Sequence, residues 1–129
     1  MKDTKTEILN AAEHLFASRG PNATSLRQVI SRAKVNLAAI HYHFGSKESL
    51  LQAVLSRRLV PLNAGRLALL DKYERMSGKR AVPLPKILEA LVGPALRLSR
   101  DPQQGGAVFM RLLGRCVLEP DEKIQTMLN

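Results

Sequence analysis

Apolar residues recur along nearly the whole chain at intervals of three and four, the spacing that places side chains on one face of an α-helix. The first stripe consists of Ile8, Ala11, Ala12, Leu15 and Phe16. Thr4 and Glu7 have the spacing of a capping box at its start, and Gly20-Pro21 is a stop signal at its end. The pattern therefore predicts a first helix that ends at Arg19.

Two short helices joined by a tight turn are predicted next. Thr24 is a good N-cap for the second helix, and Asn36 is one for the third, which we expect from about Leu37 to His43. Two short helices with this connection have the layout of a helix-turn-helix, whose second helix enters the major groove of DNA. The spacing alone also suits an ordinary helical hairpin on the surface of a bundle.

The remaining chain also has a helical pattern and no competing strand pattern, so the predicted fold class is all-α. Ser46 caps a fourth helix, in which Pro61 either ends the helix or kinks it into the helical stretch that closes at Ser77-Gly78. Further predicted helices cover about 84–98, with a bend at Gly93-Pro94, and 107–119. Residues 121–129 begin a last helix with no stop signal, so we expect a chain that is cut short.

The charge of the chain favours a polyanionic partner. Lys and Arg number 20 against 11 acidic residues, which gives a net charge of +9, spread over both halves of the chain. Nucleic acid fits this charge better than a membrane surface, because the basic residues are scattered and the chain has no Trp to anchor a surface helix.

Several classes of function have little support in the sequence. Cys116 is the only cysteine, which excludes an internal disulfide and a multi-cysteine zinc site. His41 and His43 lie two apart on a helix and so point to different sides, which disfavours a shared metal ion. No acidic dyad or paired nucleophile and base emerges, so we expect a protein that is not an enzyme and needs no cofactor. No secretory signal or membrane-spanning run is evident, which predicts a cytoplasmic location.

Residues 4–55 resemble the DNA-binding domain of the tetracycline-repressor (TetR/AcrR) family. The resemblance rests on Thr24-Ser25-Leu26-Arg27 and on residues 36–51, NLAAIHYHFGSKESLL, with its specific Tyr-x-Phe-x-Ser-Lys-Glu-x-Leu-Leu stretch. It implies a three-helix DNA-binding domain over residues 1–46, followed over 47–129 by a linking helix and a truncated α-helical effector and dimerisation domain.

The resemblance also implies roles for individual residues. Thr24 and Ser25 would contact phosphate, Arg27 would contact a base or phosphate, and Tyr42 and Lys47 would bind the DNA backbone. The full set of candidate DNA-binding residues is Thr24, Ser25, Arg27, Asn36, Leu37, Ala38, Ala39, His41, Tyr42 and Lys47. Asn36 either contacts a base or caps its helix, and capping is the favoured reading. Leu37 either touches a thymine methyl group or is an ordinary exposed leucine.

Two positions depart from the family pattern. His41 stands where the family usually has Tyr, which makes a phosphate contact there less secure. Lys34 stands in the turn where the family usually has Gly, and a left-handed backbone there would cost Lys about 1 kcal/mol.

A narrower resemblance, to the fatty-acid-responsive PsrA-like branch, rests on residues 36–54 together with Val108-Phe109-Met110-Arg111-Leu112-Leu113-Gly114. It implies a small-molecule effector, with a long-chain fatty acid or acyl-CoA as the first ligand to test. The candidate effector-binding residues are Leu91, Phe109, Met110, Leu113 and Val117. The same apolar helices also suit a plain bundle core. Arg111 and Arg115 would meet either an anionic head group or, as favoured, solvent.

The sequence thus predicts a sequence-specific transcriptional regulator, most readily a ligand-responsive repressor that binds a palindromic operator of double-stranded DNA as a homodimer. The alternatives are a non-specific basic nucleic-acid-binding protein and an inactive fragment of a regulator. Family members are longer and dimerise through their last helices, so this chain is expected to be a weak dimer, a monomer or a fragment with an incomplete pocket.

Overall fold

The computed structural model describes residues 3–118 and residue 126, and within these residues every regular element is helical. The elements are α1 (Thr4–Arg19), α2 (Leu26–Ala33), α3 (Leu37–His43), α4 (Lys47–Ser77), α5 (Leu84–Ser99), a short 3-10 helix (Pro102–Gln104) and α6 (Gly106–Leu118). The predicted all-α class is confirmed, and the predicted end of the first helix and both predicted bounds of the third agree with the structure. The helix predicted over 121–129 lies outside the described residues apart from Thr126.

The helices group into two compact units. The first unit contains the described residues up to Ser56 and from Val108 onward, and the second contains Arg57–Ala107. The first turns of α4 therefore belong to the first unit and the rest of α4 to the second. The domain boundary expected from the family resemblance, between residues 46 and 47, stays a prediction.

The core of the first unit is built from the apolar stripes that the sequence predicts. α1 packs against α2 and α3, and the fully buried apolar side chains of this unit come from α1, α2, α3, α4 and α6. They are Ile8, Ala12, Phe16, Val29, Ile40, Leu50, Val54, Phe109, Leu112 and Cys116. Each large apolar side chain buried in this way contributes about 1.5–3 kcal/mol. This core fixes the positions of α2 and α3.

The start of α1 differs from the prediction. Asp3, rather than Thr4, is the N-cap, and its carboxylate accepts hydrogen bonds from the Lys5 N–H (3.2 Å) and the Thr6 hydroxyl (2.9 Å). The helix gains one residue because an aspartate has both the capping oxygen and the negative charge that suit an N-terminus. At the other end, Gly20 has a φ of 89°, which confirms the predicted stop.

In the second unit, α4 continues through Pro61 as one helix, so this proline does not end it. A proline removes one backbone hydrogen bond and leaves the others of the helix in place. The Arg66 guanidinium on α4 donates from Nε to the Leu91 carbonyl on α5 (2.8 Å). Gly106 lies against the Leu98 carbonyl so closely that a Cβ atom would overlap it, which requires glycine at this position.

The described helices include none that combines the length and apolar character needed to cross a membrane.

Candidate nucleic-acid interface

The N-terminus of α2 is held by a capping box formed by Ser25 and Gln28. The Gln28 N–H donates to Ser25 Oγ (3.2 Å), and the Ser25 N–H donates to Gln28 Oε1 (2.9 Å). The N-cap is therefore Ser25 and not Thr24, which corrects the sequence prediction. The capping bond uses Ser25 Oγ only as an acceptor, so the exposed hydroxyl keeps its hydrogen as a donor for a phosphate oxygen.

Thr24 uses its hydroxyl for hydrogen bonds inside the protein. Its side chain is buried, and its hydroxyl donates to the carbonyl oxygens of Gly20 (2.8 Å) and Leu15 (3.3 Å). A phosphate contact through this hydroxyl would require breaking bonds inside the protein. Thr24 therefore positions the segment between α1 and α2 from within, and Ser25 is the hydroxyl that faces solvent.

The turn between α2 and α3 contains a left-handed lysine. Lys34 has φ 58° and ψ 45°, and among the described residues it is the only non-glycine with a positive φ. The structure thus has the turn geometry that the family obtains with glycine, at a cost to Lys of about 1 kcal/mol. The ammonium-bearing side chain is exposed, so the turn adds a positive charge beside α3.

Asn36 is the N-cap of α3. Its Oδ1 accepts from the Ala39 N–H (2.8 Å), which confirms the capping reading. Because a bidentate contact to adenine needs both the amide oxygen and the amide nitrogen, the capped Asn36 cannot make it without releasing the helix. The exposed Nδ2 group still has two donors, which suit acceptors such as guanine O6 and N7.

The two faces of α3 have different roles. Ile40 is fully buried and anchors the helix, while Leu37 is 48% and Tyr42 is 86% exposed. Ala38 is exposed and Ala39 half-buried, so small side chains lie near the helix start, where they allow a close approach to a groove. The outer face therefore combines small residues with the phenol hydroxyl of Tyr42, which is a free-standing donor for a phosphate.

His41 is exposed, and its ring is oriented by the chain that follows it. Its Nδ1 lies 3.1 Å from the Gly45 carbonyl oxygen, a distance at which a protonated Nδ1 donates to that oxygen. In the neutral form of this tautomer Nε2 has no hydrogen to donate, whereas the hydroxyl of a tyrosine, expected here from the family resemblance, both donates and accepts.

Lys47, the first residue of α4, is bound to the protein itself. Its Nζ donates to the carbonyl oxygens of Pro21 (3.1 Å) and Thr24 (3.2 Å), both in the segment between α1 and α2. These bonds hold the α2 N-terminus against α4. An ammonium has three donors, so the half-buried Lys47 keeps one for a phosphate.

Arg115 is a positioning residue that the sequence reading missed. Its guanidinium on α6 donates from Nε to the Ala17 carbonyl (2.8 Å) and from an Nη to the Ser18 carbonyl (3.0 Å), 98 and 97 residues earlier in the chain. A cation at the end of α1 also suits the helix dipole. The favoured expectation that Arg115 meets solvent is wrong, whereas Arg111 is exposed.

The candidate effector-binding residues do not share one environment. Phe109 is fully buried, Met110 and Leu113 are half-buried and Val117 is exposed, all in the first unit. Leu91 lies in the second unit, where it lines an apolar groove with Ile87 and Leu67. Within the described residues, no group of histidine, cysteine and acidic side chains has the arrangement of a metal site.

Two family models match most of the chain. Residues 8–54 match the model of bacterial regulatory proteins of the tetR family, and residues 89–129 match a tetracyclin repressor-like C-terminal domain. A solved structure described as a tetR family transcription regulator from Shewanella sp. PV-4 has a TM-score of 0.60 and 21% sequence identity, covering 98% of this chain and 60% of that one. That likeness supports the fold.

Two curated relatives are similar to this chain over different lengths. The HTH-type transcriptional repressor Rv3405c of Mycobacterium tuberculosis is 48% identical over 54 residues, which are 42% of this chain and 29% of the relative. The HTH-type transcriptional repressor BepR of Brucella suis is 30% identical over 115 residues, which are 88% of this chain and 51% of the relative. The chain thus spans from under a third to about half of these relatives. The resemblance to the TetR family is confirmed, and the chain belongs to the TetR family of bacterial regulatory proteins.

Proposed function

We propose that this protein is a sequence-specific DNA-binding transcriptional regulator that inserts α3 into the major groove. The observation that carries the proposal is the arrangement of α3 itself. Ile40 anchors one side in the core, while Ala38 and Tyr42 lie exposed on the opposite side. Leu37, at the start of the helix, is 48% exposed. A helix held in this way presents its N-terminal residues to base edges, as the second helix of a helix-turn-helix does.

The polar groups around α3 divide into those that fix register and those that read sequence. Ser25, Tyr42 and the remaining donor of Lys47 are placed to bind phosphate, which orients the protein without selecting a sequence. Arg27, exposed on α2, and the Nδ2 group of Asn36 are suited to base acceptors, and Leu37 to a thymine methyl group. Ala38 and Ala39 keep the helix start narrow enough to enter the groove.

We further propose that the protein represses transcription as a homodimer on a palindromic operator. Two recognition helices must then be separated by about one turn of DNA, ~34–36 Å. The repressor names of two relatives support repression, and the site of action would be the cytoplasm. The protein would act by binding, without catalysis.

A small-molecule effector would control this binding by favouring one dimer conformation over another. The likeness of residues 108–114 to the PsrA-like branch supports a long-chain fatty acid or acyl-CoA as the first effector to test. The five candidate residues for this effector, Leu91, Phe109, Met110, Leu113 and Val117, stay a prediction.

Affinity measurements on variants test the DNA-binding assignment. Binding of the whole chain is measured at several salt concentrations to a duplex recovered from a random library and to a scrambled duplex of equal length. Arg27→Ala should reduce the discrimination between the two duplexes by about tenfold, because a lost base contact costs about 1–3 kcal/mol. Tyr42→Phe should weaken both duplexes alike. Equal losses on both duplexes for Arg27→Ala would refute its base contact.

Arg100→Ala is the matched control, because Arg100 is also exposed but lies outside α2 and α3. It should leave the discrimination between the two duplexes unchanged. The affinity for either duplex should change little, because salt largely screens the effect of one distant charge. A non-specific nucleic-acid binder, which the net charge of +9 also suits, would instead bind both duplexes equally with a steep salt dependence.

A further inference from the structure

The second unit contains a cavity of about 340 Å³ between α4 and α5. On α4 its lining residues are Arg57, Arg58, Pro61, Leu62, Gly65 and Leu69, and on α5 and just beyond they are Pro94, Arg97, Leu98 and Asp101. Both sets follow the spacing of one helix face, so two facing stripes line the space, which is partly open to solvent. None of the sequence-predicted effector residues lines it.

The lining of the cavity combines apolar and cationic residues. Leu62 is buried, and Leu69 and Leu98 are half-buried, so these side chains give the lining a hydrocarbon part. Three arginines, Arg57, Arg58 and Arg97, line this space together with one acidic residue, Asp101. That carboxylate also accepts a hydrogen bond from the Gln103 N–H (3.0 Å) as the cap of the 3-10 helix.

We propose that this cavity binds an organic anion with one carboxylate or phosphate head group and a compact apolar body. Guanidinium groups recognise both head groups through paired, charge-assisted hydrogen bonds. The leucine and proline side chains of the lining bury the apolar body. The volume lies near the small end of the range for ligand pockets, which favours a medium-length chain over a large conjugate.

Gly65 is a position on α4 from which the cavity can be filled by a larger side chain. A Cβ atom at this position would lie 4.0 Å from Pro94 Cβ, which is ordinary van der Waals contact, so a methyl group fits between the helices. A longer side chain from the same position would extend into the space that the ligand needs. The glycine therefore offers a way to close the site from α4 without changing its charge.

Such an anion would be the effector of the proposed regulator. Only its effect on DNA binding depends on the proposed function, whereas its binding to the cavity does not. Binding is tested by isothermal titration calorimetry on the full chain with octanoate, octyl phosphate, 1-octanol and octylammonium. We expect both anions to bind, and the alcohol and the cation to bind at least tenfold more weakly. Equal affinity for octanoate and octanol, or no binding of either anion, would overturn the proposal. A preference between the two anions identifies the head group.

Two variants and a control locate the site. Arg97→Gln should weaken octanoate at least tenfold, because a hydrogen-bonded charge is lost, and leave octanol unchanged. Gly65→Leu should abolish binding of all four probes. Arg100→Gln, an exposed arginine that does not line the cavity, should bind like the wild type. Retained octanoate binding in Arg97→Gln or in a folded Gly65→Leu would place the ligand elsewhere and refute the assignment.

A measurement on the wild-type chain covers the case in which Gly65→Leu does not fold. Octanoate should shift the NMR signals of the Arg97 Nε–H and of the Leu62, Leu69 and Leu98 methyl groups. Shifts confined to the groove of Leu67, Ile87 and Leu91 would contradict the proposal. Binding at Arg97 that leaves DNA affinity unchanged would keep this site and refute ligand-responsive regulation. A change in DNA affinity on addition of octanoate, without binding at Arg97, would keep ligand-responsive regulation and refute this cavity as the site.

Discussion

The two compact units bury their apolar residues to very different extents. In the first unit, large side chains such as Ile8, Phe16, Val29 and Ile40 are fully buried. In the second, the described apolar side chains that are buried are few, and nine large ones are exposed. They are Val60, Leu67, Met76, Leu84, Ile87, Leu88, Leu91, Val92 and Leu96.

The structure of the first unit is therefore fixed by its own core. The second unit instead has apolar surface that is available for other contacts. The first unit satisfies its turns and helix ends with its own side chains, including Ser25, Asn36, Lys47 and Arg115. A surface with many exposed apolar residues is instead typical of an interaction or ligand-binding region. DNA reading needs fixed geometry, and ligand response needs a region that can change, so the two units suit the two parts of the proposed function.

The largest expected effect is the loss of a core side chain in the first unit. Phe16→Ala should lower the free energy of unfolding by about 3–5 kcal/mol, because Phe16 is fully buried and its removal leaves a cavity. Leu88→Ala is the matched change in the second unit, where Leu88 is 50% exposed, and should cost less than about 1 kcal/mol. Denaturant unfolding measures both. Equal losses would show that the two units do not differ in the way described.

Arg115→Met tests whether the end of α1 depends on α6. The substitution removes the donors to the Ala17 and Ser18 carbonyls and should cost about 1–3 kcal/mol, since Ala17 is buried. Amide hydrogen exchange should rise along α1. Arg111→Met, at an exposed position of the same helix, is the control and should be nearly neutral. A neutral Arg115→Met would mean that these bonds do not stabilise the first unit.

Thr24→Val tests whether Thr24 only positions the segment between α1 and α2 or also contacts DNA. It removes the buried hydroxyl that bonds the Leu15 and Gly20 carbonyls, and should cost about 1–2 kcal/mol of stability. Affinity for DNA of the folded protein should change little. Ser25→Ala should cost about 1 kcal/mol through its lost cap and also weaken binding to every duplex. A large loss of DNA affinity in the folded Thr24→Val variant would instead support the predicted phosphate contact of Thr24.

The smallest expected effect concerns the turn before α3. Lys34→Gly relieves a left-handed backbone but adds the entropy cost of glycine, so stability should change by less than about 0.5 kcal/mol. Gly45→Ala is the counterpart after α3, where φ is 86° and the space around a Cβ is open. It should destabilise by about 1 kcal/mol for backbone reasons alone. A destabilisation above about 1 kcal/mol in Lys34→Gly would show that the lysine side chain stabilises the turn.

Local signals in the sequence are enough to predict most of the first unit. Gly20, Asn36 and Gly45 mark helix ends by their own backbone and capping chemistry, so the predicted ends agree with the structure. Errors of one residue occur where two neighbouring residues can both cap, as with Thr24 and Ser25. Here the tertiary structure buries Thr24 and leaves Ser25 as the N-cap, and no local sequence pattern contains that information.

Contacts between distant parts of the chain could not be predicted in the same way. Arg115 is separated from Ala17 by 98 residues, and periodicity alone gives an exposed arginine. The cavity of the second unit likewise requires that the faces of Arg58 and Arg97 meet. The outer face of α3 was predictable because a helix with Ile40 buried exposes Ala38 and Tyr42, which lie on the opposite side of the helix.

The most direct test of the central claim is selection of binding sites from a random duplex library at near-physiological salt, followed by sequencing. The structure of α3 and its supports predicts an enriched motif. An inverted repeat would show that two copies read the DNA together, and a single half-site would show reading by one copy. Salt-sensitive binding that enriches no sequence would contradict the claim, because charge alone would then account for the affinity.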